Sequence, residues 1–385
     1  MSNRTHVVLL CATLFTPLAG AITPVFAQQR ADSAAFIVRL GKDTSSVERY
    51  IRTADQLIVE AAQRSPATTM HRLVLDLDAA HNVRKAVHTV SRPGVADPVQ
   101  RRTTTYSGDS ATIVVEQGGQ TRTLRVLARN AVPMAGPFYA PYELALMRAV
   151  RGTATKASVQ LLAGTNLVDI PIERIGRDSA ALTNQFGEPM RAHIDARGRL
   201  LHLHTPAYTT VERLRWIDLE KLAADFAQRD ATGKGMGMLS PRQTYRTGVK
   251  GANVWIDYSR PGMRGRPIWG ALVPYDRVWR TGANDAAHLS TDRTLQIGNL
   301  TLAPGTYTLF LLPAANEWSL IVNRKTGMSG LDYDAAQDVG RVALTKTTTA
   351  TPAEWFTIEV AESEAGGTLS FLWDRTRASV PFTVR

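Results

Sequence analysis

Ala303-Pro304-Gly305-Thr306-Tyr307-Thr308-Leu309-Phe310-Leu311 is a Pro-Gly turn leading into a short alternating run, and Trp318-Ser319-Leu320-Ile321-Val322 follows close behind it. Side chains on a strand alternate with period two, so runs of this length and pattern read as strands. The same pattern recurs on both sides, in Asn253–Tyr258, Thr294–Ile297, Phe356–Val360, Thr368–Trp373 and Ala378–Val384. Seven or eight short strands without a long helical pattern predict a β-sandwich or jelly-roll-like domain over residues 240–385. No repeat at a solenoid period is present, and a propeller would need more chain.

Upstream, Leu73–Leu77, Ala111–Glu116, Thr123–Leu127, Ala157–Leu162 and Leu200–His204 also read as strands. Gly108-Asp109, Gly118-Gly119, Gly136-Pro137, Gly164-Thr165-Asn166 and Asp195–Gly198 supply the turns. Connections this short imply antiparallel pairing, because parallel strands need longer crossovers. Three helices are expected here. Val47–Arg64 has Val47, Tyr50, Ile51, Ala54, Leu57 and Ile58 at spacings of three and four, although Ile58-Val59 also suits the start of a strand. Tyr142–Val150 is a shorter helix, and Asp218 is a good N-cap for Leu219–Arg229. Asp230 to Met238 holds three glycines and little to bury. The expected organisation is therefore an antiparallel β-sheet domain with one to three helices over 28–230, a linker over 231–239, and the second β domain over 240–385.

The chain has 385 residues, 44% hydrophobic and 21% charged, and its mean hydropathy is −0.14. These values suit folded globular domains and exclude general disorder. Cys11 is the only cysteine, which rules out a disulfide framework, a zinc site built on cysteine pairs and cysteine nucleophilic catalysis. Met1–Ala27 reads as a secretory signal. Arg4 and His6 open it, an apolar stretch runs from Val7 to Leu18, and Val25-Phe26-Ala27 is a small-x-small cleavage site before Gln28. Pro17 and the short apolar run argue against a membrane anchor, and Leu10 before Cys11 argues against lipidation. A periplasmic or secreted, cysteine-free mature chain without a transmembrane segment is expected.

The net charge is +11, from 37 Arg and 8 Lys against 34 acids. The basic residues do not cluster as counterion displacement from nucleic acid requires, so nucleic acid is not an expected partner. The excess is also uneven. Residues 28–239 carry 28 basic and 21 acidic side chains, whereas residues 240–385 carry 16 and 13.

Ser240-Pro241-Arg242, Val254–Pro261, Arg264–Gly270, Leu272–Asp285, Ala303–Leu309 and Trp318–Asn323 together resemble the bacterial DUF2911 family. The string Val278-Trp279-Arg280-Thr281-Gly282-Ala283-Asn284 is the most specific part of the likeness. The family's function is unassigned, so the resemblance implies a domain boundary and an extracytoplasmic setting but no reaction. Asp285 departs from the family pattern, which has a glutamate there. More loosely, the first half is similar to lipoprotein-carrier-type domains, in which a curved antiparallel sheet wraps a helix. That likeness is one of fold alone.

The polar and aromatic constellation Tyr258, Arg260, Arg264, Arg266, Trp279, Arg280, Asn284 and Asp285 is the leading candidate ligand site. Arginine forks bind carboxylates, phosphates and sulfates, and aromatic faces take sugars or cations. The same arginines would serve as scaffold if they paired with Asp257, Asp276 or Asp285. His202 and His204 share a strand face, and His193 lies across a turn from them. They are weak candidates for a metal site, with a solvated strand face as the alternative. Asp332, Asp334 and Asp338 lack the periodic ligands of a calcium loop. Gly327-Met328-Ser329-Gly330-Leu331 misses the nucleophile elbow, and no cofactor fingerprint is present, so no cofactor is expected.

The sequence therefore points to a binding protein for an apolar, anionic or glycan ligand of the cell envelope. A hydrolase of envelope or extracellular polymers, using Asp257, Asp276, Asp285 or His288, is the first rival, and a structural envelope component is the second.

Overall fold

The computed structural model describes residues 31–134, 136–150, 155–184 and 187–385. The expected signal sequence lies outside the described residues. Ala31–Arg385 forms one compact unit built from two sheets.

The first sheet consists of two meanders. One runs through β1 (Asp32–Leu40), β2 (Asp43–Arg52), β3 (Gln56–Gln63), β4 (Thr69–Leu77), β5 (Val83–Ser91), β6 (Gln100–Ser107), β7 (Ser110–Gln117) and β8 (Gln120–Leu127). The other runs through β9 (Val132–Met134), β10 (Lys156–Ala163), β11 (Asn166–Arg174), β12 (Ser179–Thr183), β13 (Pro189–Ile194), β14 (Leu200–His204) and β15 (Thr209–Leu214). They join where β1 pairs antiparallel with β15, Val38 opposite Val211, giving fifteen strands with β8 and β9 at the edges. Pairing is antiparallel throughout except between β9 and β10. The sheet is curved: Ala111 and Ile113 of β7 pack with Leu162 of β10, and Arg102 of β6 donates to the Gly164 carbonyl.

Helix α1 (Ala140–Val150) fills the hollow of this sheet. Tyr142, Leu144, Ala145, Leu146 and Ala149 are all buried, and they pack with Phe36, Leu73, Leu75, Ile170 and Leu203 from the inward-facing alternate positions of the strands. A helix enclosed on most sides must be apolar around most of its girth, and its polar groups then need internal partners. The fully buried Glu48 supplies one set, accepting from the N–H groups of Tyr139 and Ala140 at 2.7 and 2.8 Å. Burial nonetheless pushes its carboxyl up to about 8. Glu143 supplies another, accepting from Tyr50 Oη, Arg52 Nη1, Arg213 Nη1 and the Leu200 N–H. Two imidazoles complete this polar interior. His71 and His88, 8% and 9% exposed, lie stacked with 3.1 Å between Nδ1 and Nε2, edge-on to Phe138. Burial lowers both to about 4.

Helix α2 (Leu219–Ala231) packs on the other face of the sheet. Asp218 caps it by accepting from the Lys221 N–H, and Leu219, Ala223 and Phe226 cover Val47 and Ala62. The helix expected over Val47–Arg64 is instead the β2–β3 hairpin. Its apolar residues also satisfy period two, with Tyr50 and then Leu57, Val59 and Ala61 facing the core. Thr53 turns the chain, its hydroxyl accepting from the Gln56 N–H at 3.1 Å. Tertiary pairing with β1 and β4 overrides the helical spacing.

The second sheet has nine strands: β16 (Arg242–Val249), β17 (Ala252–Ser259), β18 (Ala287–Thr291), β19 (Leu295–Ile297), β20 (Leu300–Leu302), β21 (Gly305–Leu312), β22 (Trp318–Asn323), β23 (Asp338–Glu362) and β24 (Gly366–Val384). The long strands β23 and β24 change register midway. They carry the sheet round so that Ile256, Leu289, Leu309 and Leu320 share one core with Leu295, Leu302, Phe371 and Phe382. The architecture is thus mainly β, as the alternating runs predict. Among the described residues no helix is long and apolar enough to cross a membrane.

The two sheets meet at the β1–β2 turn. Gly41 has φ +59°, and a Cβ there would lie 2.2 Å from the Arg264 carbonyl oxygen, so only glycine allows this approach. Lys42 N donates to that carbonyl at 3.0 Å, and Arg264 Nη1 pairs with Asp43 at 2.8 Å. The glycine-rich stretch after α2 is tied in as well. Asp230 accepts from the Thr68 N–H, and Met236, 8% exposed, gives its carbonyl to Arg264 Nη2.

Candidate functional site

The irregular segment between β17 and β18 holds most of the constellation singled out in the sequence, and it divides that constellation in two. Tyr258, on β17, belongs to the core. It is 1% exposed, its ring stands edge-on to Phe356, and its hydroxyl accepts from the Ile358 N–H at 3.0 Å. Arg260 spends its guanidinium on the Phe356 carbonyl, Gln243 Oε1 and Thr357 Oγ1. Arg264 is the junction residue described above. Arg266 donates to the carbonyls of Met263, Gly262 and Ala207, the last of these belonging to the first sheet. These four side chains are committed to internal partners.

Trp279, Arg280, Asn284 and Arg266 line a cleft of about 550 Å³ where the two sheets meet. Leu40 and Pro206 form its wall on the side of the first sheet, and Leu272, Val278 and Phe310 line it from the second. Trp279 stacks on Trp373 at 5.7 Å with 16° between planes, so one of its faces is covered. Arg280 is half-buried, and among the described residues it makes no hydrogen bond or salt bridge. Desolvation lowers its pKa, and Glu188 on the cleft rim is the acid whose field opposes that. The next residue, Thr281, is fully buried at φ 51°, a backbone state that is costly for a β-branched side chain. Strain of this kind costs of order 1–3 kcal/mol and collects at functional sites.

Asp285 is exposed outside the cleft lining, and its carbonyl accepts from Arg242 Nη1. The scaffold pairing of Arg280 with Asp257, Asp276 or Asp285 does not form. Arg242 takes Asp257 at 2.7 Å instead, while Asp276 and Asp285 stay exposed. His288 Nε2 accepts from the Gly327 N–H at 3.2 Å, with its pKa lowered by burial and by Arg242. None of Asp257, Asp276, Asp285 and His288 lines the cleft.

His193 and His202 are cross-strand partners on β13 and β14, and His202 and His204 share a face, with ring centroids 6.4 and 6.1 Å apart. Burial and its two neighbours lower His202. Among the described residues no group of three His, Cys, Asp or Glu converges to hold a metal. The acidic loop is structural: Asp338 accepts from Tyr333 Oη and Asn323 Nδ2, and Asp334 caps a turn through the Ala336 N–H. Gly327–Leu331, the imperfect elbow, lies along Asn284–His288 and closes the cleft through Gly330 and Leu331. Leu40 and Pro206 carry no local signal, because only the joining of the two sheets brings them to the cleft, whereas Gly330 and Leu331 reach it through the pairing with Asn284 and Asp285.

Residues 240–382 match the model of a family described as "Protein of unknown function (DUF2911)", which bears out the resemblance read in the C-terminal sequence. No curated protein matches the chain. Among solved structures, a DUF1089 family protein from Pseudomonas aeruginosa is similar at 16% identity and a TM-score of 0.30, over 41% of this chain and 89% of that one.

Proposed function

We propose that the chain is a periplasmic or secreted binding protein whose ligand occupies the cleft where the two sheets meet. The observation that carries this reading is Arg280, a half-buried cation in the wall of a largely apolar cleft with no acid bonded to it. A buried charge is expensive unless it is paired, and a ligand anion would supply the missing partner. The cleft volume lies within the roughly 300–1,000 Å³ of small-molecule sites, and apolar walls with a few polar groups are their usual composition. The strained Thr281 next to Arg280 fits a segment shaped for binding. Export rests on the leader read in residues 1–27. The hydrolase reading is weaker because its acid–base candidates lie outside the cleft, and the purely structural reading because Arg280 ties nothing down.

The test is calorimetric titration and thermal melting with apolar, anionic and glycan compounds, on wild type and on Ala271→Trp, which fills the cleft from a loop position. At least one compound class should raise the melting temperature of wild type and leave that of Ala271→Trp unchanged. Binding that survives the substitution would move the site elsewhere.

A further inference from the structure

Among the described residues, three charged side chains line the cleft: Arg266, Arg280 and Glu188. Arg266 is spent on three carbonyls. Glu188 is exposed on the rim and accepts from Asn184 Nδ2 at 3.0 Å. Two cations against one anion leave a net of +1, and Arg280 alone has its fork available. Polar side chains that could recognise hydroxyl groups are few. Among the described residues Ser240, Asn284, Tyr333 and the indoles of Trp279 and Trp373 are the others in the lining; the Tyr333 hydroxyl is taken by Asp338 and Arg341, and Trp373 Nε1 by the Glu354 carbonyl. A sugar would leave many hydroxyls unpaired against Leu, Pro, Val, Phe and Trp, each at a desolvation cost.

Resting on the cleft reading above, we propose that the ligand is a single-chain anionic amphiphile, with its anionic head on Arg280 and its chain along the Leu272, Val278 and Phe310 wall. Gly330 is the positioning residue for that head site. Its N–H donates to the Asn284 carbonyl at 2.9 Å, which lays the Gly327–Leu331 segment flat on the stem of Arg280. A Cβ on Gly330 would stand 2.8 Å from both Cβ and Cδ of Arg280 and 2.9 Å from the Asn284 carbonyl oxygen. Alanine there must shift either the arginine stem or the segment lying on it, and both moves change where the fork sits. Leu331, 74% exposed at the rim, adds an apolar contact at the mouth.

The experiment is isothermal titration of the purified full-length protein with four probes below their micelle concentrations: dodecanoate, dodecyl phosphate, dodecyl maltoside and dodecyltrimethylammonium. Acetate is the chainless control. Dodecanoate or dodecyl phosphate should bind and raise the melting temperature, and the better of the two distinguishes a carboxylate from a phosphate head. Maltoside and ammonium should bind at least tenfold more weakly, and acetate not at all. Arg280→Gln should weaken the anionic probe tenfold or more, Arg280→Lys less than that, and Gly330→Ala should reduce the preference for the anion over maltoside with the fold retained. Equal affinity for maltoside, indifference to Arg280→Gln, or no binding by any probe overturns the assignment of the ligand class. Where a probe does bind, loss of that binding in Ala271→Trp leaves the cleft reading standing, and binding that persists there overturns it. A preference unchanged by Gly330→Ala removes the positioning role alone.

Discussion

The stacked imidazoles inside the first sheet should make the protein sensitive to acid in a defined window. Burial lowers both His71 and His88 from 6.5 to about 4, and each tenfold loss of proton affinity corresponds to about 1.4 kcal/mol. The folded state thus refuses protons that the unfolded chain accepts. The contribution of the pair is fully present above pH 6.5 and is lost as pH falls toward 4, at up to about 1.4 kcal/mol per ring per pH unit. Glu48 works in the opposite sense. Its carboxyl is raised from 4.5 to about 8, so the folded state holds a proton the unfolded chain releases, and stability falls as pH rises from 4.5 toward 8. Between pH 6 and 5 the two rings together contribute at most about twice the slope that Glu48 contributes against them, and the lowered His202 and His288 add to the rings. Wild type should therefore lose stability on acidification. In the double variant His71→Gln, His88→Gln, which keeps polar groups that do not titrate, the loss of stability from pH 6 to 5 should shrink, because Glu48 then opposes only the less buried His202 and His288. Urea midpoints followed by near-ultraviolet circular dichroism at closely spaced pH values would read both slopes. Parallel curves for the two proteins would refute the reasoning.

Two further outcomes test the internal roles assigned to polar residues. Tyr258→Phe should lower stability by about 1–3 kcal/mol, because the Ile358 N–H is left without its acceptor in the core, and should leave ligand affinity unchanged; thermal melts and titration check the two halves. Asp43→Ala should cost about 3 kcal/mol by stranding Arg264, whose side chain is 8% exposed, whereas Asp257→Ala, at an exposed pair with Arg242, should cost less than about 1 kcal/mol by chemical denaturation.

Strand alternation was legible wherever one face of a strand meets a core and the other meets water, as in Leu73–Leu77 and Trp318–Val322. The cap of α2 was legible because Asp218 acts on its own helix. Val47–Arg64 misled because a hairpin with both faces covered, one by α1 and the other by α2, has apolar residues in phase with either period. The arginine constellation was visible as a group but not as a division of labour. Arg266 bonds to backbone carbonyls, which every residue possesses and no sequence pattern marks, and Arg260 bonds to one such carbonyl and to the uncharged side chains of Gln243 and Thr357. Arg280 is distinguished by what it lacks, and only the packed structure reveals that. The far wall of the cleft, from Leu40 and Pro206, comes from strands remote in sequence.

The joint between β1 and β15 also sets an order of events in time. Each meander grows by pairing neighbours, and such local closures are quick. The contact between Arg39 and Glu212 spans 173 positions, a loop whose closure entropy must be met before the contact gives anything back. A ribosome or translocon releasing this chain from its N-terminus would deliver β1 first and its second neighbour last of all the strands in that sheet. Until then β1 offers an open edge, and the Leu40 and Pro206 wall of the cleft does not exist. The cleft is therefore complete only once β15 and the second sheet are both in place, and a probe of it would report completion of the entire first sheet.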